Sequence, residues 1–170
     1  LIVVKNPYVA AKAQPGQFVI LRVRDQGERI PLTIADYDRE KGTVTLVFQE
    51  VGLTTRLLGQ LAKGDSILNL VGPLGVPAEL PEKGTVIVAG GGVGVAPCLP
   101  KVKELHARGV KVISVLGARS QDLIILEDLM RANSDEVYIC TDDGSRGFHG
   151  FISQQVVKLL QDGLKVDEIV

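Results

Sequence analysis

Apolar and polar positions change rhythm partway along this chain. Up to about Ala78 the apolar runs are short and rich in β-branched residues: Gln17–Val23, Ile30–Ala35, Thr43–Phe48 and Ser66–Val71. Between them stand turn residues, at Pro15-Gly16, Asp25-Gln26-Gly27, Lys41-Gly42 and Lys63-Gly64-Asp65. Runs of that length and spacing predict an antiparallel β-barrel. Thr54 to Leu61 departs from the pattern, placing Leu57, Leu58 and Leu61 on one face, and predicts a helix. From Thr85 onward, strand-like and helix-like runs alternate. Strands are predicted at Thr85–Ala89, Lys111–Leu116 and Glu136–Thr141, and helices at Leu99–Ala107, Leu123–Arg131 and Ile152–Leu160. That order predicts an α/β doubly wound parallel sheet with ligands at the carboxyl ends of its strands. Pro77, Pro81 and Gly84 mark the seam, so the expected division is 1–80 and 81–170.

Composition narrows the class. A chain of 170 residues, 45% hydrophobic and 23% charged, can bury a core and is not of disordered type. Its net charge of −1, with no block of like charges, argues against nucleic acid or an anionic membrane as the main partner. No apolar run approaches a membrane span, and Leu1-Ile2-Val3-Val4 is too short for a signal peptide. Cys98 and Cys140 alone build neither a disulfide framework nor a multi-thiolate metal site. A cytoplasmic location is the expectation. The chain starts inside an apolar run without methionine and stops at a strand just entered, Asp167-Glu168-Ile169-Val170, so further sequence is expected at both ends.

The candidate chemistry lies mostly in loops. Thr85–Ala89 runs into Gly90-Gly91-Gly92-Val93-Gly94-Val95-Ala96-Pro97 ahead of a helix. Residues without side chains let a backbone approach a pyrophosphate, and the helix start offers free amides. Gly91, Gly92, Val93, Gly94, Ala96 and Pro97 are the expected nucleotide contacts, against the plainer reading of a tight β-to-α turn. Gly52-Leu53-Thr54-Thr55 supplies a glycine and two hydroxyls at a helix start, suited to an anion or simply to an N-cap. Arg119 and Ser120 follow the second strand of the parallel sheet, where an arginine binds a ribose 2′-phosphate and an acid binds a 2′-hydroxyl. Glu127 and Asp128 are the acidic alternatives, set in a predicted helix. Asp142 and Asp143 follow the third strand; with no further ligands nearby they do not define a metal site. Asp142 is expected to brace its loop through backbone bonds. Cys98, at a helix start, is read as a small buried residue rather than a thiolate.

Several separated motifs carry a family resemblance over nearly the whole chain. Arg29-Ile30-Pro31-Leu32-Thr33-Ile34-Ala35-Asp36, Phe48-Gln49-Glu50-Val51-Gly52-Leu53-Thr54-Thr55, Gly72-Pro73-Leu74-Gly75 and Thr141-Asp142-Asp143-Gly144-Ser145, in this order, resemble the ferredoxin–NADP reductase superfamily. They are most similar to the branch of the NADH-dependent ferredoxin–NADP oxidoreductase (sulfide dehydrogenase) small subunit and the dihydroorotate dehydrogenase electron-transfer subunit. The resemblance implies a Greek-key FAD-binding barrel followed by a Rossmann-like NAD(P)-binding half. It implies FAD contacts at Pro31, Leu32, Thr33, Ile34, Ala35 and Asp36 and at Val51, Gly52, Thr54 and Thr55, with Gly72–Gly75 nearby. The family's phosphate-binding arginine falls one residue early here, at Arg29, and Ile30 takes its place. For the pyridine nucleotide it implies Gly144, Ser145 and Gly147. Arg119 favours NADP(H) by local chemistry, whereas the branch favours NAD(H). The implied reaction is hydride transfer from NAD(P)H to FAD, then single electrons to an iron–sulfur centre or ferredoxin, with no catalytic side chain. A [2Fe–2S] cluster is implied only for a C-terminal segment beyond these residues, and the implied partner is a larger flavin and iron–sulfur subunit. Two other readings remain open, a non-catalytic NAD(H)-binding module and a structural assembly subunit.

Overall fold

Strand alternation builds the first half. In the computed structural model, which describes residues 1–170, residues Leu1–Ala78 and Glu79–Val170 form two compact units. The first holds β1 (Ile2–Lys5), α1 (Pro7–Lys12), β2 (Phe18–Arg22), β3 (Ile30–Asp38), β4 (Thr43–Leu46), α2 (Leu53–Gly59) and β5 (Asn69–Leu74). Its strands make one antiparallel sheet in the order β1-β4-β3-β2-β5. Val19 and Leu21 of β2 and Val44 and Leu46 of β4 turn inward onto Leu58 of α2 and Val9 and Ala10 of α1. The register of β3 against β4 shifts between Ile34 and Asp36, and the extra residue puts both Ile34 and Ala35 inside. A second shift, between Phe18 and Ile20, helps curl the sheet into a half-barrel.

The sequence pattern misplaces two features of this unit. Helix α1 is too short for periodicity to show; Asn6 caps it, its Oδ1 accepting from the Val9 amide at 3.1 Å, with Pro7 at the start. Strand β5 begins at Asn69 rather than Ser66 and runs through Pro73, which an edge strand tolerates.

The second unit is apolar on both faces of its sheet. It comprises β6 (Thr85–Gly91), a 3₁₀ turn (Gly92–Val95), α3 (Cys98–Ala107), β7 (Lys111–Ala118), a 3₁₀ turn (Gln121–Leu123) and α4 (Glu127–Arg131). Then follow β8 (Glu136–Thr141), β9 (Phe148–His149), α5 (Ile152–Gln161) and β10 (Glu168–Ile169). All neighbours are parallel, in the order β10-β6-β7-β8-β9. Val86, Val88, Val112 and Leu116 face Leu99, Val102 and Leu105 of α3 and Met130 of α4. Ile87, Ile113 and Val115 face Val156 and Leu159 of α5 on the other side. Burial on both faces explains why these strands read as continuous apolar runs. The helix expected over Leu123–Arg131 shrinks to Glu127–Arg131, because Leu126 takes a left-handed conformation (φ 58°). Ile124, Ile125 and Leu126 instead pack together on the core, which no helical period permits. No helix is long and apolar enough to cross a membrane.

Leu58 is fully buried, whereas Leu53, on the same helix, is exposed. Leu58→Ala is expected to cost about 2–5 kcal/mol in denaturant unfolding. Leu53→Ala is expected to stay within about 0.5 kcal/mol of the parent.

Candidate functional site

Strand order fixes where a ligand meets the second unit. The chain steps outward from β6 to β9, then returns past β6 to β10, so the order reverses at β6. In an open parallel sheet such a reversal leaves a crevice at the carboxyl ends of the strands. The glycine cluster stands there, and its members have different tasks. A Cβ on Gly90 would lie 2.9 Å from Cys98 Sγ and 2.9 Å from the Gly94 carbonyl, so this glycine lets the turn close on the strand. Gly91 and Gly117 sit against Ile152 of α5, where added Cβ atoms would come within 3.0 and 2.4 Å of its side chain. Gly92 turns the chain at φ +53°, and a Cβ there or on Gly94 would meet nothing within 4 Å. That is the cradle a dinucleotide phosphate needs: bare backbone, the first amides of a helical turn and room to approach. Val93 is exposed at its tip. Ala96 does not face it; the residue is buried and its amide donates to the Val93 carbonyl. Pro97 caps α3 and has no amide to give.

The loops after β7 and β8 are bonded to each other. The amides of Asp142 and Asp143 donate to the carbonyls of Ala118 and Arg119, at 3.0 and 3.1 Å. Ser145 Oγ accepts from the Gln121 amide at 2.9 Å and donates to Asp143 Oδ1 at 2.6 Å. Asp143 also accepts from the Ser145 amide, so both aspartates brace this loop, Asp142 through its backbone amide and Asp143 through its side chain as well. The Ser145 hydroxyl and amide together hold its carboxyl below the usual range. The Ser145 hydroxyl thus links the two loops. Gly144 adopts φ +72°, and a Cβ there would lie 2.9 Å from the His149 ring. Arg119 is exposed without an ion pair, while Ser120 Oγ donates to Asp122 Oδ1 at 2.5 Å. Glu127 grips both Arg146 and Arg131. Burial pushes its carboxyl up, but hydrogen bonds from the two arginines outweigh this and hold it below its ordinary value. Asp128 lies on the same short helix.

In the first unit the expected flavin residues fall into two groups. Pro31, Leu32 and Thr33 continue a regular pairing with β2 that begins at Ile30, and exposed Arg29 precedes it, outside the strand. Ile34 and Ala35 are buried, and the Ile34 amide already donates to the Gln17 carbonyl. Asp36 Oδ1 accepts from the Tyr37 amide. Before α2, Thr55 Oγ1 bonds both the amide and the carbonyl of Gly52 at 3.0 Å, and Thr54 is buried. The N-cap reading describes the Thr55 hydroxyl. What stays exposed is Val51, Gly52 and Leu53.

A cavity of about 650 Å³ lies elsewhere in this unit, lined by Ile2–Asn6, residues 61–67 and Leu70, and contains none of these residues. No cluster of His, Cys, Asp or Glu is placed to hold a metal ion. Burial raises the Cys98 thiol, and burial followed by the Asp142 charge pushes Cys140 up to about 11.

An antiparallel half-barrel followed by a doubly wound sheet, with a glycine turn at the point of reversal, defines the architecture of the two-unit flavin and nicotinamide reductases. Comparison with known proteins agrees. The chain is 43% identical to the dihydroorotate dehydrogenase B (NAD(+)) electron transfer subunit homolog of Thermotoga maritima, over 94% of this chain and 56% of that protein. It superposes with TM-score 0.89 and 40% identity on the structure of an NADH-dependent reduced ferredoxin–NADP oxidoreductase, covering 94% of this chain and 58% of that one. The ferredoxin–NADP+ reductase of Plasmodium falciparum, at 14% identity and TM-score 0.68, shares the fold over 89% of this chain and 66% of its own. In fold and in sequence the chain resembles the ferredoxin–NADP reductase superfamily over nearly its whole length. No family model matches it. It spans between 55% and 62% of the length of the curated relatives it matches.

The glycine geometry separates two substitutions. Gly90→Ala is expected to cost about 1–3 kcal/mol in chemical unfolding, since the turn must shift to admit the methyl group. Gly94→Ala is expected to fall within about 0.5 kcal/mol of the parent. With both thiols raised by burial, neither Cys98 nor Cys140 is expected to react with iodoacetamide in the native protein at mildly alkaline pH. Labelling should appear only on unfolding, as mass spectrometry would show.

Proposed function

We propose that this chain is the nucleotide-binding part of an FAD-dependent NAD(P)H oxidoreductase subunit, serving electron transfer within a larger complex. The open cradle at Gly92 and Gly94, set where the strand order reverses, carries this reading. The names of the related proteins support it. When bound, the two cofactors supply hydride transfer from nicotinamide to flavin and one-electron delivery onward.

The chain's own residues bind and orient. Gly91–Val95 would receive the dinucleotide phosphates on backbone amides, with Arg119 beside the adenosine ribose. Exposed Val51, Gly52 and Leu53 and the strand Pro31–Asp36 would hold FAD, mainly through backbone and apolar contact. No side chain has to donate or accept a proton. Of the pair suited to a 2′-phosphate, Ser120 is already committed to Asp122, which favours NAD(H) over NADP(H). Cys98 and Cys140 are buried in separate elements and would not ligate a [2Fe–2S] cluster, so one in the whole protein would rest on other residues. A larger flavin and iron–sulfur subunit or ferredoxin would take the electrons, in the cytoplasm. The same geometry serves a dihydroorotate dehydrogenase electron-transfer subunit, a reading favoured by the Thermotoga relative; the two differ in the partner subunit.

Anaerobic titration of the FAD-loaded full-length protein with NADH, followed by flavin absorbance, tests the proposal. Bleaching is expected at NADH levels that leave free FAD unchanged, with NADPH less effective. Gly94→Val should keep the flavin spectrum but require about tenfold more NADH, because its side chain occupies the cradle. A protein that binds FAD and never bleaches, or that binds none, would overturn it.

A further inference from the structure

One carboxylate, that of Glu127, ties the loop after β8 to α4 from outside. Its side chain is only 16% exposed, although it opens a short surface helix. One bond is ordinary, to Arg131 Nε a turn later on α4, at 2.8 Å. The other is not local. Arg146 comes from the loop after β8, 19 residues away, and its Nη1 and Nη2 each reach a different Glu127 oxygen at 2.8 Å. Such a fork-to-fork pair fixes orientation as well as distance.

Arg146 is also fixed through its backbone. Fully buried Thr141 donates from Oγ1 to the Arg146 carbonyl at 2.8 Å and accepts from its amide at 2.9 Å. The adjoining Ser145 Oγ accepts from the Gln121 amide, and the Asp143 amide donates to the Arg119 carbonyl. Residues 118–121 and 142–146 therefore form one block, whose outer anchor is Glu127. The Arg119 guanidinium has no side-chain partner, so its placement depends on that block.

We infer that Glu127 is a positioning residue for the pyridine nucleotide. It holds Arg119 and the loop after β8 in their binding arrangement through Arg146 and Ser145, without touching the ligand. The inference rests on the proposed function, which assigns these loops to the nucleotide. Arg131 is the internal control, because it pairs with the same carboxylate yet lies on the same helix.

Equilibrium binding of NADH to the full-length, FAD-loaded protein should be measured for Glu127→Gln, Arg146→Met, the double variant and Arg131→Met, with thermal unfolding alongside. Glu127→Gln and Arg146→Met are expected to weaken NADH about tenfold, and the double variant no further, since both act by one route. Arg131→Met should lower the melting temperature comparably while changing affinity by no more than about twofold. Parent-like affinity in Glu127→Gln and Arg146→Met would overturn the inference. So would affinity that falls in step with stability in all the variants. If the parent itself binds no NADH, the proposed function fails first and this inference with it.

Discussion

A strand covered on both faces can offer a ligand only its end. That constraint organises the second unit: α3 and α4 seal one face of the parallel sheet and α5 the other. Reactive contact is left to the carboxyl edge, and the reversal of order at β6 opens that edge at one point. The glycines follow from it. Gly90 and Gly91 let strand, turn and α5 close up, while Gly92 and Gly94 keep the space beyond them clear. The surface proposed for the nucleotide is made of backbone because side chains have been excluded by packing on one side and by the need for room on the other.

Much of this was legible in the sequence. The βαβαβα order read correctly because strands buried on both faces are unbroken apolar runs, and helices such as α5 keep their period. The glycine turn was legible because strand, glycines and helix are consecutive. Elements set by tertiary packing were not. Helix α1 is shorter than any periodic window, and α4 lost its first turn when Ile124, Ile125 and Leu126 were drawn together into the core. Edges also drifted, as at β5, because an edge strand is limited by a single neighbour.

The loops show the limit more sharply. Asp142 and Asp143 are chemically identical neighbours, and only the direction of the turn decides that Asp143 receives the Ser145 hydroxyl and amide. That the Ser145 hydroxyl is a strut between loops is not written in its local sequence. Glu127 looked like one more solvated helix residue; its second arginine lies beyond any local pattern. Thr54 and Thr55 read as a cap by spacing and as an anion site by resemblance, two roles that do not exclude each other, and the bonds of Thr55 with Gly52 are those of a cap. Pairings within one element are readable from sequence, and pairings between loops require the fold.

The edge formed by β10 bears on the order in which the protein can assemble during synthesis. Strand β6 is flanked by β7 on one side and β10 on the other, and the Ala89 amide donates to the carbonyl of Val170. Asp167 in turn caps the start of β6, accepting from the Thr85 amide 82 residues earlier. Every strand pairing of the first unit is available once residue 74 has been made. The point of strand reversal has both of its walls only when the last of these residues has left the ribosome. Until then the most apolar strand of the sheet carries an open edge, a span that a nascent chain must cross without pairing elsewhere.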